Sequence, residues 1–289
     1  MSLPCVLSVA GFDPSGGAGL QADCKTIHAL GAYALTVVTA VTAQNSRGVQ
    51  AVYPLEDAAF GAQLAALGED YQIGAIKIGM LSDAGKIATL ARFLEQMPRV
   101  PVVLDPVLVS TSGTALLQPE ALQTLITQLL PRCTLLTPNR PEMHYLAESI
   151  GCPLDQATHQ SDLTHCMNKL GVKNLLLKGG HSQDADAGDW LLSTERNTET
   201  VTQSQWFRLP RLKVQHAHGT GCTLSAAIAV HLAQGQTLSQ AVAHAKHFVH
   251  SALAQADQNQ PLYRHITTAE AAKRRGGLHH FWKSDSLFE

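Results

Sequence analysis

No two cysteines of this chain stand at CxxC spacing. The six lie apart, at Cys5, Cys24, Cys133, Cys152, Cys166 and Cys222. That argues against a zinc ribbon and a disulfide framework, and predicts free thiols in a reducing compartment. An excess of either charge is also missing. The formal net charge is −2 over 289 residues, with both signs mixed along most of the chain. Nothing electrostatic therefore argues for nucleic acid or an anionic membrane as a partner. No hydrophobic run approaches the length of a membrane span. The opening MSLPCVLSVAGFD has neither the basic start nor the apolar length of a signal peptide. The expected location is the cytoplasm. Internal repeats, low-complexity tracts and linkers are absent too. One domain over residues 1–289 is expected, with 261–289 as a peripheral C-terminal segment.

What is present begins with AHGTGCTLSAAIAVHLAQG, from Ala217 to Gly235. Its Gly219-Thr220-Gly221-Cys222 turn runs straight into an alanine-rich helical pattern that Gly235 stops. Glycines before a helix let several N–H groups point at one spot, and the helix dipole adds to them. Such a nest suits an anion such as phosphate. Cys222 sits at the same end, where a thiol is expected to lose its proton more readily. The same residues can also serve as a glycine turn that caps a core helix over a buried cysteine.

The remaining chain alternates strand and helix. Short apolar or β-branched runs predict strands over 5–11, 34–45, 75–81, 100–107, 133–139 and 174–180. Helical patterns fall over 20–31, 57–69, 83–96, 119–130, 140–149, 162–170, 223–232 and 239–257. This alternation predicts an α/β fold with an open, mostly parallel sheet covered on both faces. The WLLS and QWFRL pieces within 189–213 read as antiparallel strands on the sheet edge. His244, His247 and His250 share one predicted helix, but without an acidic or cysteine partner at ligand spacing they read as a helix face.

Ligands of such folds lie beyond the carboxyl ends of the strands. There the prediction collects Asp13 with its glycine loop, Gln44 and Asn45, Asp105, Asn139 and Glu142, Lys178 with Gly179 and Gly180, and the Gly219–Cys222 turn. An anion nest, two carboxylates suited to magnesium and a mobile lysine suit ATP-dependent phosphoryl transfer. Two other nucleotide readings fare worse. A P-loop needs Lys and Ser/Thr where Gly17 and Ala18 stand. Gly17-Ala18-Gly19-Leu20-Gln21-Ala22 does match a dinucleotide fingerprint, but the second strand ends in Gln44-Asn45 where an acidic ribose ligand should be.

The stretches AGFDPSGGAGLQADCKT, TAVTAQNSRGVQ, KIGML, VLDPV, LLTPNRPE, LLKGGH and HGTGCTLSAA together resemble the bacterial hydroxymethylpyrimidine and phosphomethylpyrimidine kinases of thiamine biosynthesis. The resemblance runs from about Val6 to Asp257. It implies a ribokinase-like three-layer α/β/α sandwich and a homodimer that uses ATP and Mg2+. It further implies two phosphorylations, of 4-amino-5-hydroxymethyl-2-methylpyrimidine and then of its monophosphate. By the same resemblance Gly219, Thr220 and Gly221 form the anion hole, and Cys222 is the proton acceptor where most related sugar kinases have aspartate. Gln44 would bond the pyrimidine edge, Met80 and Val107 would pack on the ring, and Gly11 and Asp23 would lie near the substrate. Asp105 and Glu142 would hold magnesium, while Asn139 and Lys178 would face the phosphates. Met80 and Val107 also suit plain core packing.

One residue departs from the pattern. The family usually has a small hydroxyl residue where this chain has Phe12, which puts substrate preference in question. A pyridoxal or pyridoxine kinase is the nearest rival reading, since that substrate too carries a hydroxymethyl group on a nitrogen ring. Dedicated pyridoxal kinases resemble the sugar kinases in ending the turn with aspartate, so Cys222 argues against it. A pyrimidine-binding module without catalysis is a third reading, against which Asp105, Glu142, Lys178 and the Gly219–Cys222 turn all stand.

Overall fold

The structure is a computed structural model that describes residues 3–108, 116–155, 159–179, 186–195, 200–214, 217–256 and 276–282. Nine strands form one sheet in the order β3-β2-β1-β4-β5-β6-β7-β8-β9. They are β1 (Cys5–Phe12), β2 (Tyr33–Asn45), β3 (Gly48–Pro54), β4 (Ile73–Ile78), β5 (Val102–Leu104), β6 (Leu135–Leu136), β7 (Asn174–Leu177), β8 (Asp186–Thr194) and β9 (Val201–Pro210). The run from β2 to β7 is parallel. β3 joins β2, and the β8–β9 hairpin joins β7, in antiparallel pairing.

The strands carry apolar residues on both faces because helices cover both. Leu7, Ile76, Leu104, Leu175 and Leu192 face one core. There they meet α2 (Asp57–Asp70), α3 (Ala84–Glu95), α4 (Ala121–Thr124), α5 (Arg140–Ser149) and α6 (Gln160–Lys169). Their neighbours Val6, Ala75, Val103, Leu176 and Leu191 face a second core, against α1 (Gly19–Ala29), α7 (Thr220–Ala233) and α8 (Leu238–Ala254). This is the expected three-layer α/β/α arrangement. Every residue of α7 from Thr223 to His231 is buried, which explains the small residues: a helix enclosed on every side needs alanines to let its neighbours approach.

Several expected bounds shift. β5 and β6 are shorter than their apolar runs, since pairing stops before Asp105 and Thr137 turn toward the sheet end. The helix expected over 119–130 loosens after α4 into a π turn, Leu125–Leu129, and a 3-10 turn, Leu130–Arg132. Pro131 has no N–H to offer the ladder there. β3 was not expected at all. It is an edge strand without a buried residue, so it lacks the alternation that marks a strand in sequence. The C-terminal segment is not simply peripheral: Leu278 and His280 are buried. Residues 261–275 and 283–289 lie outside the described residues, as does Gly180.

The chain leaves β1 toward β2 on one side and returns to β4 on the other. That reversal opens a crevice at the carboxyl ends of β1 and β4, where open α/β sheets bind ligands.

Candidate active site

Two glycine turns meet above this crevice. Gly219 is left-handed (φ +84°) and N-caps α7, and a Cβ on it would fall 1.9 Å from the Gly17 carbonyl oxygen. Gly19 is also left-handed (φ +55°), and its Cβ would strike the Gly11 carbonyl oxygen at 2.3 Å. Only glycine permits so close a crossing. The turns therefore bring the N-termini of α1 and α7 together. The first-turn N–H groups of both lack intrahelical partners, and the Gly19 N–H donates to Cys222 Sγ.

A cavity of about 1010 Å3 opens from this point. One part is apolar: Ala40, Met80 and Leu116 form a small cluster with Val52 and Val107 against it. Gly11 lies at its back, where a Cβ would be 2.9 Å from Met80 Sδ. Gln44 faces the same space. Thr42 Oγ1 lies 3.2 Å from Gln44 Oε1, and Gln44 Nε2 lies 3.0 Å from His218 Nε2. Phe12 lines the cavity and is 38% exposed, so its ring stands at the wall and not within the core.

Asp105, Asn139, Glu142 and Lys178 line the cavity as well. Lys178 Nζ donates to Asp105 Oδ1 at 2.5 Å and lies 3.9 Å from Glu142 Oε2. Burial opposes the lysine's charge, but the two carboxylates outweigh it and hold its pKa above the ordinary value. Burial pushes the Glu142 carboxyl up to about 7, with Asp105 adding and Lys178 opposing. Glu142 also closes the α5 capping box: it accepts from the Asn139 N–H at 2.7 Å, while Asn139 Oδ1 accepts from the Glu142 N–H at 2.9 Å. Asn139 thus serves the helix cap first. Thr220 Oγ1 similarly turns back onto the Ala217 carbonyl at 2.5 Å, which leaves its backbone N–H for the nest.

Two expectations need correction. Asp23 does not line the cavity. It is fully buried, accepts from Lys77 Nζ at 2.7 Å and from Ser8 Oγ at 2.6 Å, and so holds the lysine that does line it. The Cys222 thiol is not activated by its helix end alone. Burial pushes it up to about 11; Lys77 opposes this, whereas Asp23 and Asp105 add to it. The favourable helix end is outweighed chiefly by burial of the thiol, with the Asp23 and Asp105 charges adding to it.

The family described as phosphomethylpyrimidine kinase matches residues 13–266.

The chain belongs to that family.

The hydroxymethylpyrimidine/phosphomethylpyrimidine kinase of Escherichia coli is 40% identical over 275 residues, covering 95% of this chain and 96% of that protein. The crystal structure of phosphomethylpyrimidine kinase from Clostridium difficile is 36% identical, covers 86% of this chain and 99% of its own, and has a TM-score of 0.71. An ADP complex of Bacillus subtilis pyridoxal kinase is 28% identical over the full length of both, with a TM-score of 0.77.

Three site residues escaped the sequence reading. Lys77 is the one charge inside an apolar strand run, a signal that was present in AIKIGML. His218 directly precedes the nest, but only the fold shows that its Nε2 lies 3.3 Å from Asp13 Oδ2 and against Gln44. Asp189 gave no signal at all. It accepts from the Gly179 N–H beside Lys178 at 3.0 Å and pairs with Lys246 at 2.5 Å.

Proposed function

We propose that this chain transfers phosphate from ATP to the hydroxymethyl group of 4-amino-5-hydroxymethyl-2-methylpyrimidine, and then phosphorylates the monophosphate to the diphosphate. One observation carries the reading. A single cavity holds the Gln44 amide beside an apolar Met80–Val107 floor, and the Lys178–Asp105 pair beside the Cys222 turn. A flat ring with a polar edge fits the first part, and a polyphosphate fits the second.

In this reading Gln44 orients the ring through its remaining N–H and lone pair. The N–H groups of Thr220, Gly221 and Cys222 and the charge of Lys178 receive the transferring phosphate. The substrate oxygen bonds to the γ-phosphorus as the bond to the departing ADP oxygen breaks. The hydroxyl proton passes to Cys222 Sγ, which must first be a thiolate; Lys77 is the cation that favours this form. Asp105 and Glu142 suit magnesium: two carboxylates at one anion site leave room for phosphate oxygens and water. Magnesium there would neutralise charge on the transferring phosphate.

We further propose one domain over 1–289, supported by the continuous sheet, and a cytoplasmic homodimer. Tyr53 on edge strand β3 and its partner Val41 on β2, 62% and 43% accessible, offer a surface for the second copy. An assay of ADP release with the pyrimidine, its monophosphate and pyridoxal tests the whole reading. Turnover of both pyrimidines ahead of pyridoxal is expected. Preference for pyridoxal would make this a vitamin B6 kinase, and turnover of none would leave a binding module.

A further inference from the structure

The stretch LHHFW near the C-terminus has no part in the reading above, and the family match ends at residue 266, before it. The structure nevertheless lays Gly276–His280 directly behind the Gly219–Cys222 turn. The His218 N–H donates to the Gly276 carbonyl at 3.3 Å, and His218 and Gly277 form a parallel bridge. On the other side of the turn, Thr223 Oγ1 lies 3.0 Å from His280 Nε2. The segment thus grips the residue just before the turn and the residue just after it. It also touches the second glycine loop: a Cβ on Gly277 would fall 3.1 Å from Gly17 Cα. Gly17 in turn lies under the His218 ring and against Gly219. Leu278 anchors the stretch in the core shared by α7 and α8, and the His279 N–H donates to the Ala252 carbonyl at 3.2 Å.

The geometry points to Gly276–His280 as a strap that positions the phosphate-binding turn from behind. Its residues do not line the cavity, so they are positioning residues that act through His218 and Thr223. An N-terminal helix turn with left-handed Gly219 as its cap has few conformational restraints of its own. Fixing both flanks keeps its N–H groups aimed at one point before any ligand arrives, and such preorganisation is where phosphate binding gains most. His280 is 3% exposed, and its Nδ1 has no partner among the described residues. At Nε2 the buried ring has the Thr223 hydroxyl as its hydrogen-bond partner.

This inference rests on the turn being the phosphate site, so one readout is chosen that needs no phosphate. In the full chain, His280→Phe and Thr223→Val each remove the link, and His280→Gln can restore a donor or acceptor near Nε2. Loss of one buried hydrogen bond should raise the KM for ATP about tenfold, with kcat less affected. The double variant should be no worse than either single one. His280→Gln should recover most of the loss. Alkylation of Cys222 without ligand should change by about threefold or more as the turn loosens. Gly277→Ala, which presses on Gly17 without touching the hydrogen bond, should also raise the KM for ATP. Lower melting temperatures with unchanged KM and unchanged alkylation would reduce the segment to core packing and overturn the proposal. If the wild-type chain turns over no substrate, the assigned kinase reaction fails, but the alkylation rates still decide the strap.

Discussion

Lys178 and Asp105 form an ion pair at 2.5 Å directly against the first turn of α7: a Cβ on Gly221 would lie 3.3 Å from the lysine Nζ and 3.2 Å from Asp105 Oδ2. The cation is thus in place at the nest before any phosphate binds. The carboxylate that positions it is one of the two suited to magnesium. Phosphate arrival then requires no long lysine motion, only a change of partner.

Glu142 carries a stability cost. Burial raises its carboxyl from 4.5 to about 7. Between those values the folded chain keeps a proton that the unfolded chain releases, so stability falls as pH rises through this window and stays lower above it. The cost is on the order of 1–3 kcal/mol. Glu142→Gln removes it and keeps the capping box, since glutamine can also accept from the Asn139 N–H. The variant should gain melting temperature relative to wild type at pH 8 more than at pH 5. Its magnesium requirement should rise and its turnover fall. Equal melting differences at both pH values would show that Glu142 is ionised in the fold.

Cys222 should be slow to alkylate in the free protein at neutral pH, with a rate that climbs about tenfold per pH unit toward pH 11. Cys222→Ala should lose roughly two to four orders of magnitude in turnover while ATP binding by calorimetry stays near normal. Cys222→Asp should recover part of the loss. Fast modification at pH 7 would mean that the helix ends and Lys77 prevail over burial and the two carboxylates.

Asp23→Asn strands the Lys77 ammonium, whose pair is fully buried on both sides. Removing one partner of such a pair costs about 3–5 kcal/mol. Chemical denaturation should register that loss. The same change also removes one of the charges that holds the Cys222 thiol up, so alkylation of the remaining folded fraction should quicken. Unchanged alkylation would place the Asp23 charge too far from the sulfur to matter.

Phe12→Ser should alter the ratio of kcat/KM for the pyrimidine and for pyridoxal. The ring lines the cavity wall, while the residue is tied to the frame through its backbone, which pairs with Val41 and whose carbonyl accepts from Thr42 Oγ1 at 3.0 Å. The fold should be undisturbed. Identical specificity ratios would show that the ring faces away from bound substrate.

Sequence periodicity and turn chemistry sufficed for the parallel run of strands, because both faces of those strands are covered and each reads as a continuous apolar stretch. Arg140–Ser149 was legible to the residue; Asn139 and Glu142 form a capping box at its start, with Pro141 in the first turn. β3 was not legible, because an edge strand with no fully buried residue carries no clear hydrophobic alternation. Of the site, Asp105, Lys178 and the Gly219–Cys222 turn could be singled out because each follows a strand end or opens a helix. That rule is local, and it points every such residue toward one end of the sheet.

Tertiary structure alone decided which of them meet and in what state. Asp23, the fifth residue of α1, is near the substrate by the family resemblance, yet the helix turns its carboxylate inward onto Lys77. Cys222 has the helix end that lowers a thiol pKa, yet burial under the folded chain reverses the sign, helped by the Asp23 and Asp105 charges from distant segments. His280 lies 57 residues after Thr223 and still reaches its hydroxyl. Local sequence encodes backbone conformation and burial, which depend on neighbours in the chain. Electrostatic balance depends on neighbours in space, and a charge a few ångströms away acts regardless of how many residues separate it.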